Sequence, residues 1–229
     1  MQKEQLSKFQ GKINSAVIGY LHLLKQKELL SVSMNLGNAL ETLDNPIKRS
    51  ILSIQDTLHA FLIVEVHSWL FDESKNSSNL SLHKLLNLLV NFESENSLKH
   101  LKKSFIKAPS VIHLGGDMIN WQASFETVRA SKFKPIIDEC SKSIEYLLES
   151  EEMERIKKIR DKVIAHKDGQ YDITENQHKI GDIFFTLEQM KQILLSLIEL
   201  FLRVSYPIED EERKAKSDAE KFWSHVALI

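Results

Sequence analysis

The chain has 229 residues, a formal net charge of −2, 42% apolar and 27% charged residues, and only seven Gly and four Pro. That balance is ordinary for a soluble globular protein, and the scarcity of turn residues disfavours an all-β fold. The single cysteine, Cys140, excludes an intramolecular disulfide and a cysteine-based zinc site, and with no apolar leader after Met1 it fits a reducing, cytoplasmic setting.

Helical periodicity runs through the chain. Leu6, Phe9, Ile13, Val17, Tyr20 and Leu24 recur at spacings of three and four, predicting a helix from about Gln5 to Leu30. Val32 to Leu43 either continues it or forms a short helix of its own around Gly37. Asn45-Pro46 reads as an N-cap with proline at the first helical position, opening a long helix to about Phe71. Apolar residues on several of its faces predict a central position, and its most apolar run, Leu58 to Phe71, is too short and too polar to span a bilayer.

A polar loop follows, and Ser81 is placed to cap a leucine-dense helix. Leu98 to Lys107 is lysine-rich, and its lysines read as a solvated helix face. Ala108 to Asp117, with Pro109, Gly115 and Gly116, is irregular. Further helices are predicted from Met118 to Ala130 and from Pro135 through Leu148; the stripe Met153, Ile156, Ile159 and Val163 either continues the latter or forms a new helix after Ser150, with His166 at or near its C-terminus. Thr186-Leu187-Glu188-Gln189 matches a capping box, predicting a helix that starts there and is ended by Pro207. From about residue 209 a charged C-terminal tail follows, whose Phe222, Trp223 and Val226 are candidates to pack back or to dock on a partner. These elements describe an all-α, single-domain helical bundle over residues 1–229.

The chemistry concentrates in Arg160-Asp161-Lys162-Val163-Ile164-Ala165-His166. It lies in a stretch from Arg155 to Lys167 with six Lys/Arg and one acid. Arginine offers a permanently charged fork that matches phosphate oxygens, and histidine gives and takes protons near neutrality. RNA brings its own nucleophile, the 2′-hydroxyl. An enzyme that uses it needs proton transfer, for which His166 is the candidate, and charge stabilisation at phosphorus, for which Arg160 is. Asp161 would orient the imidazole or the arginine, and Lys157, Lys158, Lys162 and Lys167 would hold RNA phosphates.

On an ideal helix, six residues turn by about 600°, leaving Arg160 and His166 some 120° apart. Either the helix unwinds, or the arginine reaches across, or a second subunit completes the site, which predicts a homodimer. No metal or other cofactor is expected: His59 and His67 lack the i,i+4 ligand spacing and read as core or interface histidines. A non-catalytic helical scaffold that binds a protein partner is the alternative the residues leave open.

The segment Lys158 to Asp168 resembles the signature of the HEPN superfamily, in which an Arg followed by a polar residue precedes a His near a helix C-terminus. The phrase RDKVIAHKD is most similar to the abortive-infection U-type branch. Ser68-Trp69-Leu70-Phe71-Asp72 and Asn79 to Leu86, with the polar loop between them, also resemble that branch. The resemblance implies a HEPN-type bundle, usually dimeric, acting as a metal-independent ribonuclease of toxin or phage-defence type on an RNA substrate. Carried over residue by residue, it assigns Arg160, Asp161 and His166 to catalysis. It leaves room for an antitoxin protein as partner. In members silenced by nucleotidyltransferases a tyrosine lies two residues after the histidine; here that position is Asp168, which argues against that mode of control.

Overall fold

The stripe of Ile13, Val17, Tyr20, Leu23, Leu24 and Leu30 is buried along one long helix, α1 (Gln2–Met34). In the computed structural model, which describes residues 2–41, 43–71, 81–82, 84–86, 89, 96–109, 118–161 and 180–227, this helix is followed by α2 (Gly37–Glu41) and α3 (Asn45–Phe71). The α3 ladder starts one residue earlier than the sequence implies, because the Lys48 N–H donates to the Asp44 carbonyl at 3.0 Å. Pro46 still falls in the first turn, where its missing N–H costs nothing. Ser81 accepts from the Lys84 N–H at 3.3 Å, the N-cap bond expected of it.

α4 (Asn96–Ile106) is amphipathic: Leu101 and Phe105 are buried while Lys99, Lys102 and Lys103 are exposed. α5 (Met118–Leu148) runs unbroken through Pro135, where the sequence predicts a new helix. Proline removes one ladder bond, but Pro135 and Ser131, the residue whose carbonyl loses its donor, are both exposed, so water can replace it. The buried stripe Phe133, Ile137, Cys140, Ile144 and Leu147 passes through the proline without a break in spacing.

α6 (Glu151–Ile159) and α7 (Ile180–Leu197) follow. Thr186 is not a cap. It is fully buried in the second turn of α7, and its hydroxyl donates to the Asp182 carbonyl at 2.8 Å, the back-bonding seen for threonine inside helices. Nor does α7 reach Pro207. Its last turn, Ile198–Leu202, widens into a π-turn, and Arg203 ends it in the left-handed conformation. Pro207 instead opens α8 (Ile208–Ala227), where its carbonyl accepts from Asp210 at 3.1 Å.

The stretch read as a charged tail is therefore a helix. Ile208, Ala215, Ala219 and Trp223 form its buried stripe, packed on α1, and the charges cover its outer face. The two alanines admit close approach. The Trp223 indole N–H donates to the Leu29 carbonyl at 2.8 Å. Lys191 joins α7 to α8 by donating to Glu212 at 3.1 Å.

The centre of the bundle is α7, not α3. Among the described residues α7 touches α1, α3, α5 and α6, and it buries Ile183, Leu187, Met190, Ile193, Leu194 and Leu197. The α3 helix exposes Leu52, Ile54 and Val64, so part of its apolar surface lies outside the core. No strand occurs among the described residues, and the fold is all-α. No described helix is long and apolar enough to cross a membrane.

Candidate functional site

α6 brings the basic stretch into place, and its local sequence explains why it forms. The Ser150 side chain accepts from the Met153 N–H at 3.3 Å, Glu151, Glu152 and Glu154 occupy the positive end of the helix, and Lys157 and Lys158 the negative end. The i,i+4 pairs Glu151–Arg155 (3.4 Å) and Glu154–Lys158 (3.0 Å) brace the outer face. Met153 and Ile156 anchor the inner one. The strongest tie is tertiary. Arg155 places a fork on the buried Asp182 of α7, with Nε to Oδ2 at 3.0 Å and Nη2 to Oδ1 at 2.9 Å, the bidentate geometry that fixes orientation as well as distance.

Arg160 stands immediately after Ile159. Its backbone is still helical (φ −58°, ψ −49°), and its N–H is shared between the Ile156 and Lys157 carbonyls. At Arg160 and Asp161 the turns widen to π geometry. The Arg160 guanidinium donates to Asp161 Oδ1 at 2.7 Å, and the two side chains are 39% and 37% exposed. That exposure leaves the guanidinium's other N–H groups within reach of a solvent-borne phosphate. The hydrogen bond from Arg160 holds the Asp161 carboxyl below its usual range; burial opposes this, and the charges of Arg160, His67 and Lys157 support it.

His67 is the residue that sequence reasoning missed here. The α3 helix packs on α6, and His67, half-buried, lies in the field of Arg160, Asp161 and Lys157. Burial lowers its pKa first, the Arg160 and Lys157 charges lower it further, and Asp161 opposes them. Its neutral imidazole is thus favoured, a form able to accept a proton or a hydrogen bond. Nothing in the sequence marks this neighbour, because the approach is made by the packing of two distant helices.

Of the predicted site residues, Arg160, Asp161, Lys157 and Lys158 fall among the described residues. Arg160 and Asp161 are in direct contact, Lys157 adds its charge to the same cluster, and Lys158 is turned to Glu154. His166, Lys162 and Lys167 lie outside the described residues. Among the described residues, no group of three or more His, Cys, Asp or Glu is placed to hold a metal ion.

The bundle thus gathers a basic helix terminus, an aspartate-held arginine and a half-buried histidine in its field into one charged cluster. The AbiU2 family model matches residues 37–222, well over half of the chain. The chain belongs to this family, the abortive-infection U-type branch of the HEPN superfamily. No curated protein and no solved structure matches it.

Proposed function

We propose that this protein is a metal-independent endoribonuclease of the toxin or phage-defence type. The observation that carries the proposal is the partly exposed Arg160 guanidinium oriented by Asp161 at 2.7 Å, at the end of a helix anchored by Arg155 and within the segment the family covers. In the proposed step a base takes the 2′-hydroxyl proton, O2′ attacks phosphorus, and the P–O5′ bond breaks. An acid returns a proton to O5′, leaving a 2′,3′-cyclic phosphate and a 5′-hydroxyl. Arg160 neutralises the charge that builds on the phosphoryl oxygens. Two proton-transfer groups are needed. His166 supplies one and His166 of a second copy the other, which makes the homodimer part of the proposal. Lys157, Lys158, Lys162 and Lys167 contribute the positive field that gathers RNA phosphates.

The test is cleavage of structured and unstructured RNA in excess EDTA, with the oligomeric state followed by light scattering. Wild type leaves cyclic phosphate ends. His166→Ala and Arg160→Ala each lower the rate by about 10²-fold or more while keeping wild-type circular dichroism. Cleavage undiminished in His166→Ala removes the proposed site. A folded, dimeric wild type that cuts no RNA replaces the enzyme with a binding scaffold.

A further inference from the structure

α4 carries Lys99, Lys102 and Lys103 and no acid. The Lys107 N–H donates to the Lys103 carbonyl at 3.2 Å, so the helical ladder runs one turn further and adds Lys107. Lys99, Lys103 and Lys107 then form an i, i+4, i+8 row about 12 Å long, with Lys102 beside it. All four residues are exposed, and Leu101 and Phe105 hold the opposite face in the core. Arg203 fixes the end of the row by donating to the Lys107 carbonyl.

α5 packs antiparallel on this helix. The Ala108 N–H donates to Glu126 at 3.3 Å and Arg129 Nε to the Phe105 carbonyl at 3.3 Å, so three residues back along α4 correspond to three residues on along α5. Lys132, also exposed, falls level with Lys102. Over the described residues from Asn96 to Lys134, seven Lys or Arg stand against one acid, Glu126, in a chain whose net charge is −2. Lys27, Lys134, Lys158 and Lys191 each have a carboxylate within 3.1 Å. Among the described residues, Lys99, Lys102, Lys103, Lys107 and Lys132 have none. Like charges one turn apart destabilise a helix, and Lys99 stands in the first turn, where the macrodipole disfavours a cation. Local helix stability thus opposes the row, and an external polyanion would relieve it.

The kind of polyanion follows from the side chains. A helix that lies on a membrane sets apolar residues beside its cations, and Leu101 and Phe105 of α4 are buried in the core. Protein interfaces are depleted in lysine. Phosphodiester backbones, in contrast, are gathered by such flexible, strongly hydrated point charges. We propose that the lysine row of α4 is an RNA-binding surface that holds the sugar-phosphate backbone without reading its sequence. The choice of RNA rests on the ribonuclease reading, but the row lies apart from that site. α4 packs on the π-turn at Ile198–Leu202, about 24 Å along α7 from Asp182, which anchors α6. On that reading the row is a second grip on the RNA, remote from Arg160.

Fluorescence anisotropy of the full chain tests it, with a labelled single-stranded 2′-O-methyl RNA, which lacks the nucleophile and stays intact. Wild type binds this RNA in the micromolar range at low salt and more weakly as salt rises. Lys99→Gln, Lys103→Gln and Lys107→Gln combined weaken binding about tenfold or more and reduce the slope of log affinity against log salt by about 2. The melting temperature of this variant is no lower than that of wild type, because the like-charge pairs are gone. The control is Lys214→Gln, Lys216→Gln and Lys221→Gln combined, which makes the same change in net charge at exposed positions of the acid-rich α8 and leaves binding nearly unchanged. Absence of RNA binding by folded wild type overturns the proposal. So does wild-type affinity in the α4 variant, equal loss in the α8 control, or tighter binding to phosphatidylserine vesicles or to DNA of the same sequence than to RNA. The two readings fail separately. Cleavage by wild type with unchanged RNA binding in the α4 variant removes the row and leaves the ribonuclease; binding lost in that variant, from a wild type that cuts no RNA, leaves the row and removes the ribonuclease.

Discussion

His67 couples the candidate site to pH. Its folded-state pKa lies below its ordinary value because of burial, with Arg160 and Lys157 adding to the effect and Asp161 opposing it. The unfolded chain therefore binds this proton more readily, and the contribution of His67 to stability is present at and above neutral pH. It is lost as pH falls through about 6.5 toward the folded-state value. Urea unfolding at pH 7.5 and 5.5 is expected to show His67→Gln losing less stability on acidification than wild type. Cys140 behaves in the opposite sense. Burial, with Glu139 adding its charge, pushes its thiol up to about 12, so at pH 8 it is not a thiolate. A thiol reagent is expected to label it only after denaturation. Two glycines separate backbone from packing effects. A Cβ on Gly19 would stand 2.5 Å from the Trp69 ring, while one on Gly11 would meet nothing within 4 Å. Gly11→Ala is expected to stabilise by about 0.5–1 kcal/mol. Gly19→Ala is expected to destabilise by about 1 kcal/mol, overpacking outweighing the helix-propensity gain. Denaturant midpoints check both.

At the scale of elements, the Arg155–Asp182 fork decides where α6 lies on α7 and so where Arg160 emerges. Asp182→Ala removes the buried acceptor of both bonds. Arg155 then falls back on Glu151 and Glu152, each at 3.4 Å. The expected loss is about 2 kcal/mol of unfolding free energy, with Asp182→Asn losing less; on the proposed ribonuclease reading, RNA cleavage falls further than stability alone explains. This level also shows what a sequence can carry. The charge order and the i,i+4 pairs of α6 were legible, because they are contacts within one helix, and of the two starts the sequence allowed, the structure takes the one after Ser150. The Arg160–Asp161 contact was legible too, being between adjacent residues. Pro135 and Thr186 misled for the opposite reason. Each has the local signature of a helix start, and each was overruled by packing: Phe133 carries the α5 stripe up to the proline, and Thr186 is buried against Met153, with Oγ1 3.4 Å from Sδ. His67 carries no local signature for its place in the site, since what puts it there is the seating of α3 on α6.

The whole molecule is held by two helices from opposite parts of the chain. Glu212 of α8 lies close enough to Tyr20 to act on it electrostatically, and Trp223 donates to the Leu29 carbonyl at 2.8 Å, so α8 runs parallel to α1. A second, smaller apolar cluster of Leu40, Ile51 and Trp223 ties α2 and α3 to the same helix. Truncation after Tyr206 removes Ile208, Ala215, Ala219 and Trp223 from the face of α1. The shortened chain is expected to keep most of its far-ultraviolet helical signal, bind a hydrophobic dye and unfold without a cooperative transition, which circular dichroism, dye fluorescence and a thermal melt would show together.

The Trp223–Leu29 bond closes a sequence separation of 194 residues. At a synthesis rate of about 5–20 residues per second, α1 waits on the order of 10–40 seconds after leaving the ribosome before the helix that covers it has been made. During that interval α3 and α7 can already pack on α1, but the face that receives Ala215, Ala219 and Trp223 stays uncovered. The bundle completes itself only after α8 emerges, so any activity that depends on the finished core begins after translation has passed that helix, not while the site segment at Arg160 is being synthesised.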